Sequence, residues 1–293
     1  MHLQQYLREQ ADRINAELDR LVPPESTPPE TIHKAMRYSL FAGGKRIRPV
    51  LALAAGHAVR PDSPGITSAA CSLELIHTYS LIHDDLPALD NDDLRRGRPT
   101  CHKVFGEAMA ILAGDALLTA AFQVLSGLAC DDATKVRLIA ELSTASGTVG
   151  GMIGGQVHDI EGEGQPPEAQ LLGRIHRAKT GALLRASVRM GAIHAGATTE
   201  QLTAFSHYGE HIGLAFQIVD DVLDVEQSSE ALGKTAGKDA AQKKITFPAV
   251  YGLEESKAMA ARELDLALAA LAGFGDSAVW LRGIAELIVR RTA

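Results

Sequence analysis

Two groups of aspartate residues carry the clearest chemical signal in this sequence. The first lies in HDDLPALD at residues 83–90, and the second lies in FQIVDDVLD at residues 216–224. Mg²⁺ commonly binds a few carboxylates together with the phosphate oxygens of a substrate, and no His/Cys pattern near either group suggests zinc. Either group alone could be a solvated helix end. Two of them, each beside an apolar run, favour Mg²⁺ sites for a phosphate-bearing molecule.

The second group predicts one helical face lined by carboxylates. At about 100° of rotation per residue, Asp224 lies about 40° from Asp220, and Asp221 falls within about the same 100° arc. Like charges at this spacing destabilise a helix unless they are neutralised. Apolar neighbours such as Ile218 and Val222 indicate a helix packed in the core, so we expect a bound cation.

The first group has a different spacing, which would separate its members on a continuous helix. Asp90 would then lie about 120° from Asp84. Pro87 disfavours helical geometry at Leu86 and cannot donate a backbone hydrogen bond. We therefore expect the chain to bend here and to bring Asp90 back towards Asp84 and Asp85.

Two basic segments accompany the aspartate groups. GGKRIRP at residues 43–49 places three cations within four residues, and LRRGRP at residues 94–99 follows the first aspartate group. The fixed fork of an arginine side chain can bind two phosphate oxygens at once, without a metal. One such segment alone would be better explained as a solvated turn, but both together suit a diphosphate.

The elements that must position these residues are helices. The 293 residues are 46% hydrophobic and only 4% aromatic, and few segments show strand-like alternation. Turn signals occur at residues 23–29, 60–65, 161–167 and 228–242, and none is long enough for a flexible linker. Residues 178–195, for example, repeat apolar side chains every three or four positions. We expect an all-α fold and a single domain over residues 1–293.

Charge and hydropathy exclude several classes of partner. The net charge of −7 argues against nonspecific binding of nucleic acid or anionic lipid. The first residues lack the apolar segment of a signal peptide. Residues 108–129 are the most apolar stretch, but Asp115 and Gln123 predict a buried core helix rather than a membrane span. The three dispersed cysteines indicate reduced thiols, so we expect a cytoplasmic protein.

Six short segments occur in an order that is specific. They are GGKRIRP (43–49), HTYSLIHDD (77–85) continuing to RRG (95–97), GGQ (154–156) with Asp159, KTG (179–181), FQ (216–217) with Asp220 and Asp221, and GK (233–234). Through them almost the whole sequence resembles the trans-polyprenyl diphosphate synthases, especially the bacterial farnesyl diphosphate synthases. The resemblance implies an isoprenoid-synthase-type helical bundle around a central active-site cavity, and a homodimer.

The resemblance also implies a role for each motif residue. Isopentenyl diphosphate would be held without a metal, and the allylic diphosphate (dimethylallyl or geranyl) would be held partly through Mg²⁺. Asp84, Asp85, Lys179 and Asp220 would take part most directly in catalysis. The isopentenyl group is Lys45, Arg48, His77 and Arg96; the allylic group is Arg95, Lys179, Thr180, Gln217 and Lys234; the metal ligands are Asp84, Asp85, Asp90, Asp220, Asp221 and Asp224.

The implied reaction is a head-to-tail condensation by ionisation, addition and proton loss. Departure of the allylic diphosphate leaves a carbocation that the isopentenyl double bond attacks. In this family the released diphosphate is the base that takes the proton. Because water would capture the cation, we expect residues 233–244 to close over the site as a lid.

Tyr79 and Ser80 stand where the family's tail pocket begins, five and four residues before Asp84 and about 6–8 Å deeper along a helix. A ring at Tyr79 would stop extension after a few isoprene units, which predicts farnesyl diphosphate as the main product. Tyr79 could also merely pack in the core. Asn91 replaces an Asp found in many farnesyl synthases, so geranylgeranyl and geranyl diphosphate remain alternative products.

Other functions fit the sequence less well. A class I terpene cyclase would not need the basic isopentenyl residues, and its usual second metal motif is absent. A non-catalytic prenyltransferase subunit would have damaged aspartate groups, but both are intact. The GKT at residues 233–235 lacks the first glycine and the preceding strand of a P-loop. The pattern of an EF-hand is missing around residues 90–93.

Overall fold

Helices make up most of the described chain and strands almost none of it, which confirms the predicted all-α fold. The computed structural model describes residues 2–166, 168–226 and 244–290. One short antiparallel hairpin joins β1 (Leu94–Arg95) to β2 (Arg98–Pro99). The helices are α1 (Leu3–Leu21), α2 (Glu30–Leu40), α3 (Ile47–Val59), α4 (Ile66–Asp84), α5 (Cys101–Phe105), α6 (Glu107–Ser126), α7 (Asp132–Ser146), α8 (Met152–Gly162), α9 (Ala169–His176), α10 (Ala182–Ala195), α11 (Thr199–Glu226), α12 (Phe247–Tyr251), α13 (Leu253–Ala270) and α14 (Val279–Arg290), with a π-helical turn at Arg177–Gly181 and a 3₁₀ segment at Ala272–Ala278.

The main core forms where α3, α4, α10 and α11 pack together. The apolar stripe predicted on residues 178–195 is buried, with Leu184, Val188 and Ala192 fully inaccessible to solvent. α10 and α3 approach closely because residue 191 is glycine: a Cβ there would lie 1.9 Å from the Ala52 carbonyl oxygen. This close packing fixes α3, which begins in the basic segment at residues 43–49, against α10, which follows the π-helical turn.

A smaller core lies under the C-terminal half of α11. Ile218 and Val222 of α11 pack there with Leu172 of α9 and with Ile245 and Phe247, which resume the described chain after residue 226. Burial of these apolar residues orients the helix, as the sequence predicted for the second aspartate group.

The prediction of a buried core helix at residues 108–129 is wrong for one face of α6. Ala113 and Leu117 are fully buried, but Ile111 and Leu112 on another face are 45% and 53% exposed. Among the described helices, α6 is the single one that is long and apolar enough to cross a membrane, and the bent pair α13–α14 passes the same test only when counted as one span. Core helices of soluble proteins meet the same criteria.

The three cysteines carry free thiols, as predicted.

Candidate active site

The first aspartate group sits on a sharp turn at the end of α4. The helix ends at Asp84, and the Leu86 N–H donates to the His83 carbonyl oxygen over 3.0 Å. The Asp90 N–H then donates to the Asp84 carbonyl oxygen over 2.8 Å. The predicted bend around Pro87 is therefore confirmed, and it returns Asp90 to the end of the helix.

Arg95 closes over this turn from the β-hairpin. Its Nε donates to Asp85 Oδ1 over 2.7 Å and to Oδ2 over 3.0 Å. Arg96 and Gly97, at the tip, both have positive φ (55° and 72°), the geometry of a two-residue type I′ hairpin. This tight turn directs Arg95 towards the carboxylates while Arg96 points elsewhere.

The electrostatics of the turn suit a bound cation. Burial raises the pKa of Asp84 to about 6; Lys179 partly opposes this rise, and Asp90 adds to it. Burial also raises the pKa of Asp85, against the effect of Arg95. Buried carboxyl groups close to one another are stabilised as anions by a divalent ion with oxygen ligands. Among the described residues, no three His, Cys, Asp or Glu side chains are placed to hold a metal ion together, so Asp84, Asp85 and Asp90 would hold Mg²⁺ only after their side chains move.

In the second group, Asp221 is enclosed by the protein. It is 3% exposed, its Oδ1 accepts from Gln217 Nε2 over 2.8 Å, and its Oδ2 accepts from the Phe247 N–H over 2.9 Å. His176 Nε2 lies 3.5 Å from the same Oδ2. Direct metal coordination by Asp221 would require these bonds to rearrange. Asp220 instead lies near enough to Arg48 to influence its ionisation.

The predicted allylic residues on α11 and the π-helical turn meet beside this group. Thr180 Oγ1 donates to Gln217 Oε1 over 2.9 Å, which extends the chain of hydrogen bonds from Asp221. Lys179 Nζ lies 2.6 Å from Asp159 Oδ2 on α8. A Cβ at residue 155 would lie 2.1 Å from the Lys179 backbone nitrogen, so the glycine of this motif permits the close approach. π-helical turns are often found at functional sites.

The basic segment at residues 43–49 is held in place by Arg46. This residue is 4% exposed, and its side chain donates to Glu74 Oε1 over 2.7 Å, to Asn15 Oδ1 over 2.9 Å and to the Leu40 carbonyl oxygen over 2.7 Å. Arg46 is therefore a structural residue of the loop. Its anchoring leaves Lys45 exposed on one side and directs Arg48 into the protein.

Three of the four predicted isopentenyl residues cluster together, and two of them are cations. Burial lowers the pKa of His77 well below its usual value, and nearby Arg48 and Arg96 lower it further. Arg96 donates to the Gly43 carbonyl oxygen. Gly44, which lies against the Arg96 guanidinium, has a φ of 125°, so the backbone favours glycine where the two basic segments meet. Among the described residues, buried Arg48 Nε has no hydrogen-bond partner, as expected of a site for an anion.

Comparison with known proteins places this geometry in a family. The sequence profile of the polyprenyl synthetases matches residues 29–272. The chain is 45% identical to the farnesyl diphosphate synthase of Geobacillus stearothermophilus, over 99% of this chain and 98% of that one. It is 48% identical to geranylgeranyl pyrophosphate synthase 12 of Arabidopsis thaliana, over 94% and 77%.

Comparison with a solved structure indicates the same family. An FPP/GFPP synthase from Zymomonas mobilis superposes with a TM-score of 0.87 at 37% identity, covering 98% of both chains. The chain belongs to the polyprenyl synthetase family. It is a prenyltransferase of isoprenoid biosynthesis.

In this polyprenyl synthetase, Tyr79 faces into the bundle one turn and a half before Asp84. The ring is 5% exposed and meets the His83 ring edge-on, with the centroids 5.7 Å apart. Burial raises its pKa to about 12, and the hydroxyl has no hydrogen-bond partner within the described residues. Ser80 is partly buried and donates to the His77 carbonyl oxygen over 2.9 Å.

Two residues of the synthetase site, Lys244 and Asp159, were not predicted as site residues from the sequence. Lys244 Nζ lies 3.1 Å from Asp90 Oδ1 and 4.0 Å from Asp159 Oδ2, so it connects the first aspartate group to α8. Asp159 appeared only as part of a motif, although it pairs with Lys179. Its position on one helical face with Gly155 could have indicated this. Lys234 and all of the expected lid at 233–244 except Lys244 lie outside the described residues.

Proposed function

We propose that this prenyltransferase is a Mg²⁺-dependent synthase that joins isopentenyl diphosphate head-to-tail to dimethylallyl or geranyl diphosphate, with farnesyl diphosphate as its main product. One observation carries the proposal. Two regions suited to a diphosphate lie on adjacent elements, but one is built on carboxylates and the other is cationic.

The carboxylate region suits the allylic diphosphate. Mg²⁺ would be held, directly or through water, by the six aspartates Asp84, Asp85, Asp90, Asp220, Asp221 and Asp224. Mg²⁺ bound there supplies charge that stabilises the departing diphosphate. Lys179 and Arg95 add fixed cations, and Thr180, Gln217 and Lys234 complete the proposed set. The hydrogen bond between Thr180 and Gln217 orients both side chains before substrate arrives.

The cationic region suits isopentenyl diphosphate, which must be bound but not ionised. Lys45, Arg48 and Arg96 would contact its phosphate oxygens, and His77, kept neutral by its surroundings, would donate one hydrogen bond. A metal-free pocket stabilises the ground-state anion without favouring departure of the diphosphate. The two regions therefore separate the electrophile from the nucleophile.

The reaction then follows from this division. The C–O bond of the allylic substrate breaks, its electron pair leaves with diphosphate, and the isopentenyl double bond attacks the resulting cation. The released diphosphate, still held by Lys179 and Arg95, takes the proton that restores a double bond. Because the diphosphate is itself the base, no separate side-chain base is required.

The proposed product length depends on Tyr79. Its ring fills space in the bundle before Asp84, where a growing tail would point, and burial leaves it no room to move aside. Relatives include both farnesyl and geranylgeranyl synthases, and Asn91 occupies the position that differs from many farnesyl enzymes. A geranylgeranyl synthase is therefore the second candidate.

Product chromatography distinguishes them. With Mg²⁺, isopentenyl diphosphate and geranyl diphosphate, we expect mainly the 15-carbon product. Tyr79→Ala should shift the products to 20 carbons or more, and Tyr79→Phe should not. A 20-carbon main product from the wild type, or an unchanged distribution for Tyr79→Ala, would contradict the role of Tyr79.

We also propose a homodimer built on the outward face of α6. Ile111 and Leu112 are exposed there, and such a face is stabilised when a second copy covers it. Asp115 on the same helix has a 58% exposed side chain, which suits a protein partner better than lipid.

Light scattering should give twice the chain mass for the wild type and for the control Ser126→Glu, and one chain mass for Leu112→Glu. A monomeric wild type would contradict the homodimer.

A further inference from the structure

A second cavity lies behind the π-helical turn that carries Lys179 and Thr180. Its volume is about 660 Å³. Its walls are formed by α7, α8, α9, the π-helical turn, α10 and α11. None of the residues assigned above to either diphosphate lines it. It is therefore distinct from the proposed active site.

Arginine dominates the lining of this cavity, and its two acidic residues are already paired. Arg189 Nε lies 2.6 Å from Glu141 Oε1. The same guanidinium also donates a hydrogen bond to the Ser206 hydroxyl oxygen. Arg185 NH1 lies 3.1 Å from Glu210 Oε1. Both glutamates are thus neutralised by arginines of α10.

Three further arginines line the same cavity: Arg137 of α7, Arg174 of α9 and Arg177 of the π-helical turn. Within residues 2–166, 168–226 and 244–290, none of the three forms an ion pair. His158 also lines the cavity, and its Nδ1 lies 3.7 Å from Glu161. With two of five arginines balanced by glutamates, the lining carries an excess of three positive charges. This excess occurs in a chain of net charge −7.

The three unpaired guanidinium groups are exposed to solvent, so they are accessible to an anion that enters this concave surface, and their positive charges would attract it. Arginine forks bind phosphate oxygens through pairs of hydrogen bonds. Three unpaired forks match an anion with several charges better than a single phosphate.

The cavity shares one wall with the active site. Ala178 and Gly181 line the cavity, whereas Lys179 and Thr180 of the same turn bond to Asp159 and Gln217 on the other side. An anion drawn to Arg177 would act on the first residue of this turn. It would thereby bias the position of Lys179.

We propose that this cavity is a binding site for a polyphosphate anion, and that its occupation alters binding of the allylic substrate through the π-helical turn. The site is additional to the two substrate regions, and its binding test does not depend on catalysis.

Binding is measured by calorimetric titration with inorganic tripolyphosphate in buffer containing EDTA, which removes divalent ions from the carboxylates. The wild type should show two classes of site. Arg174→Ala/Arg177→Ala should lose one class or bind it about tenfold or more weakly, since charge-assisted hydrogen bonds are lost. Arg96→Ala should weaken only the other class.

The matched control is Arg8→Ala/Arg290→Ala, which removes the same charge from exposed positions outside the cavity and should keep both classes. Arg137→Gln, on another wall, provides a second variant if the first does not fold by circular dichroism. A single class of site in the wild type, or two unchanged classes in both cavity variants, would overturn the binding site.

Coupling is read from steady-state kinetics. Tripolyphosphate at concentrations that fill the cavity should change the KM for geranyl diphosphate in the wild type, beyond simple competition. In Arg174→Ala/Arg177→Ala only the competitive component should remain. Identical inhibition patterns in the two proteins would overturn the coupling. A wild type that is inactive without tripolyphosphate would instead contradict the proposed function.

Discussion

The backbone N–H of Asp90 donates a hydrogen bond to the carbonyl oxygen of Asp84 over 2.8 Å. This bond joins the two ends of the first aspartate group across the turn that contains Pro87. On a continuous helix the spacing would place these carboxylates on different faces, whereas this turn returns Asp90 to the end of α4.

Replacing Pro87 by Ala tests whether that turn matters. Alanine permits α4 to continue past Asp84, which would rotate Asp90 away. We expect Pro87→Ala to raise the Mg²⁺ concentration for half-maximal activity several-fold, with little change in the KM for isopentenyl diphosphate. Pro61→Ala, at an exposed loop position, is the control. An unchanged Mg²⁺ requirement would show that Asp90 does not depend on the bend.

Removing Arg96 should affect one substrate only. Its guanidinium lies against Gly43 and Gly44, away from the carboxylate turn that Arg95 closes. We expect Arg96→Ala to raise the KM for isopentenyl diphosphate about tenfold or more, since a charge-assisted hydrogen bond is lost. The Mg²⁺ requirement should stay the same. A shift in the Mg²⁺ requirement instead would place Arg96 at the allylic diphosphate.

The ion pair between Arg46 and Glu74 should be important for stability. Their side chains are 2% and 3% exposed. Arg46→Met would leave Glu74 buried without its partner, at a cost of about 3–5 kcal/mol in the free energy of unfolding. The double variant Arg46→Met/Glu74→Leu should recover much of the loss. Urea denaturation measures all three proteins, and a loss under about 1 kcal/mol for Arg46→Met would contradict this role.

His77 should make stability depend on pH. Its pKa is lowered in the folded protein, so below about pH 6.5 the unfolded chain binds a proton that the folded chain does not. The contribution of His77 is therefore present at neutral pH and is lost as the pH falls. Relative to His77→Gln, the wild type should lose up to about 1.4 kcal/mol per pH unit below that pH. Parallel pH profiles from urea denaturation would show that His77 is not held neutral.

The predictable parts of the fold depend on local pattern. The apolar repeat of α10 predicts its buried stripe, and the backbone limits that Pro87 imposes predict the return of Asp90. In each case the deciding interaction lies within a few residues or within one helix.

The unpredicted parts depend on contacts between distant segments. Lys244 lies 154 residues from Asp90, so no local pattern connects them. Arg46 has the same sequence context as Lys45 and Arg48, and only its contact with Glu74 shows it to be structural. The outward face of α6 has the composition of a core helix. Its exposure depends on which neighbouring helices pack against it.

The most direct test is incorporation of labelled isopentenyl diphosphate into product with geranyl diphosphate as the partner, followed with Mg²⁺, after addition of EDTA, and after Mg²⁺ is restored. We predict extension with Mg²⁺, none in EDTA, and full recovery on restoration. No extension with Mg²⁺, or an equal rate in EDTA, would contradict a synthase whose aspartate groups hold the allylic diphosphate through magnesium.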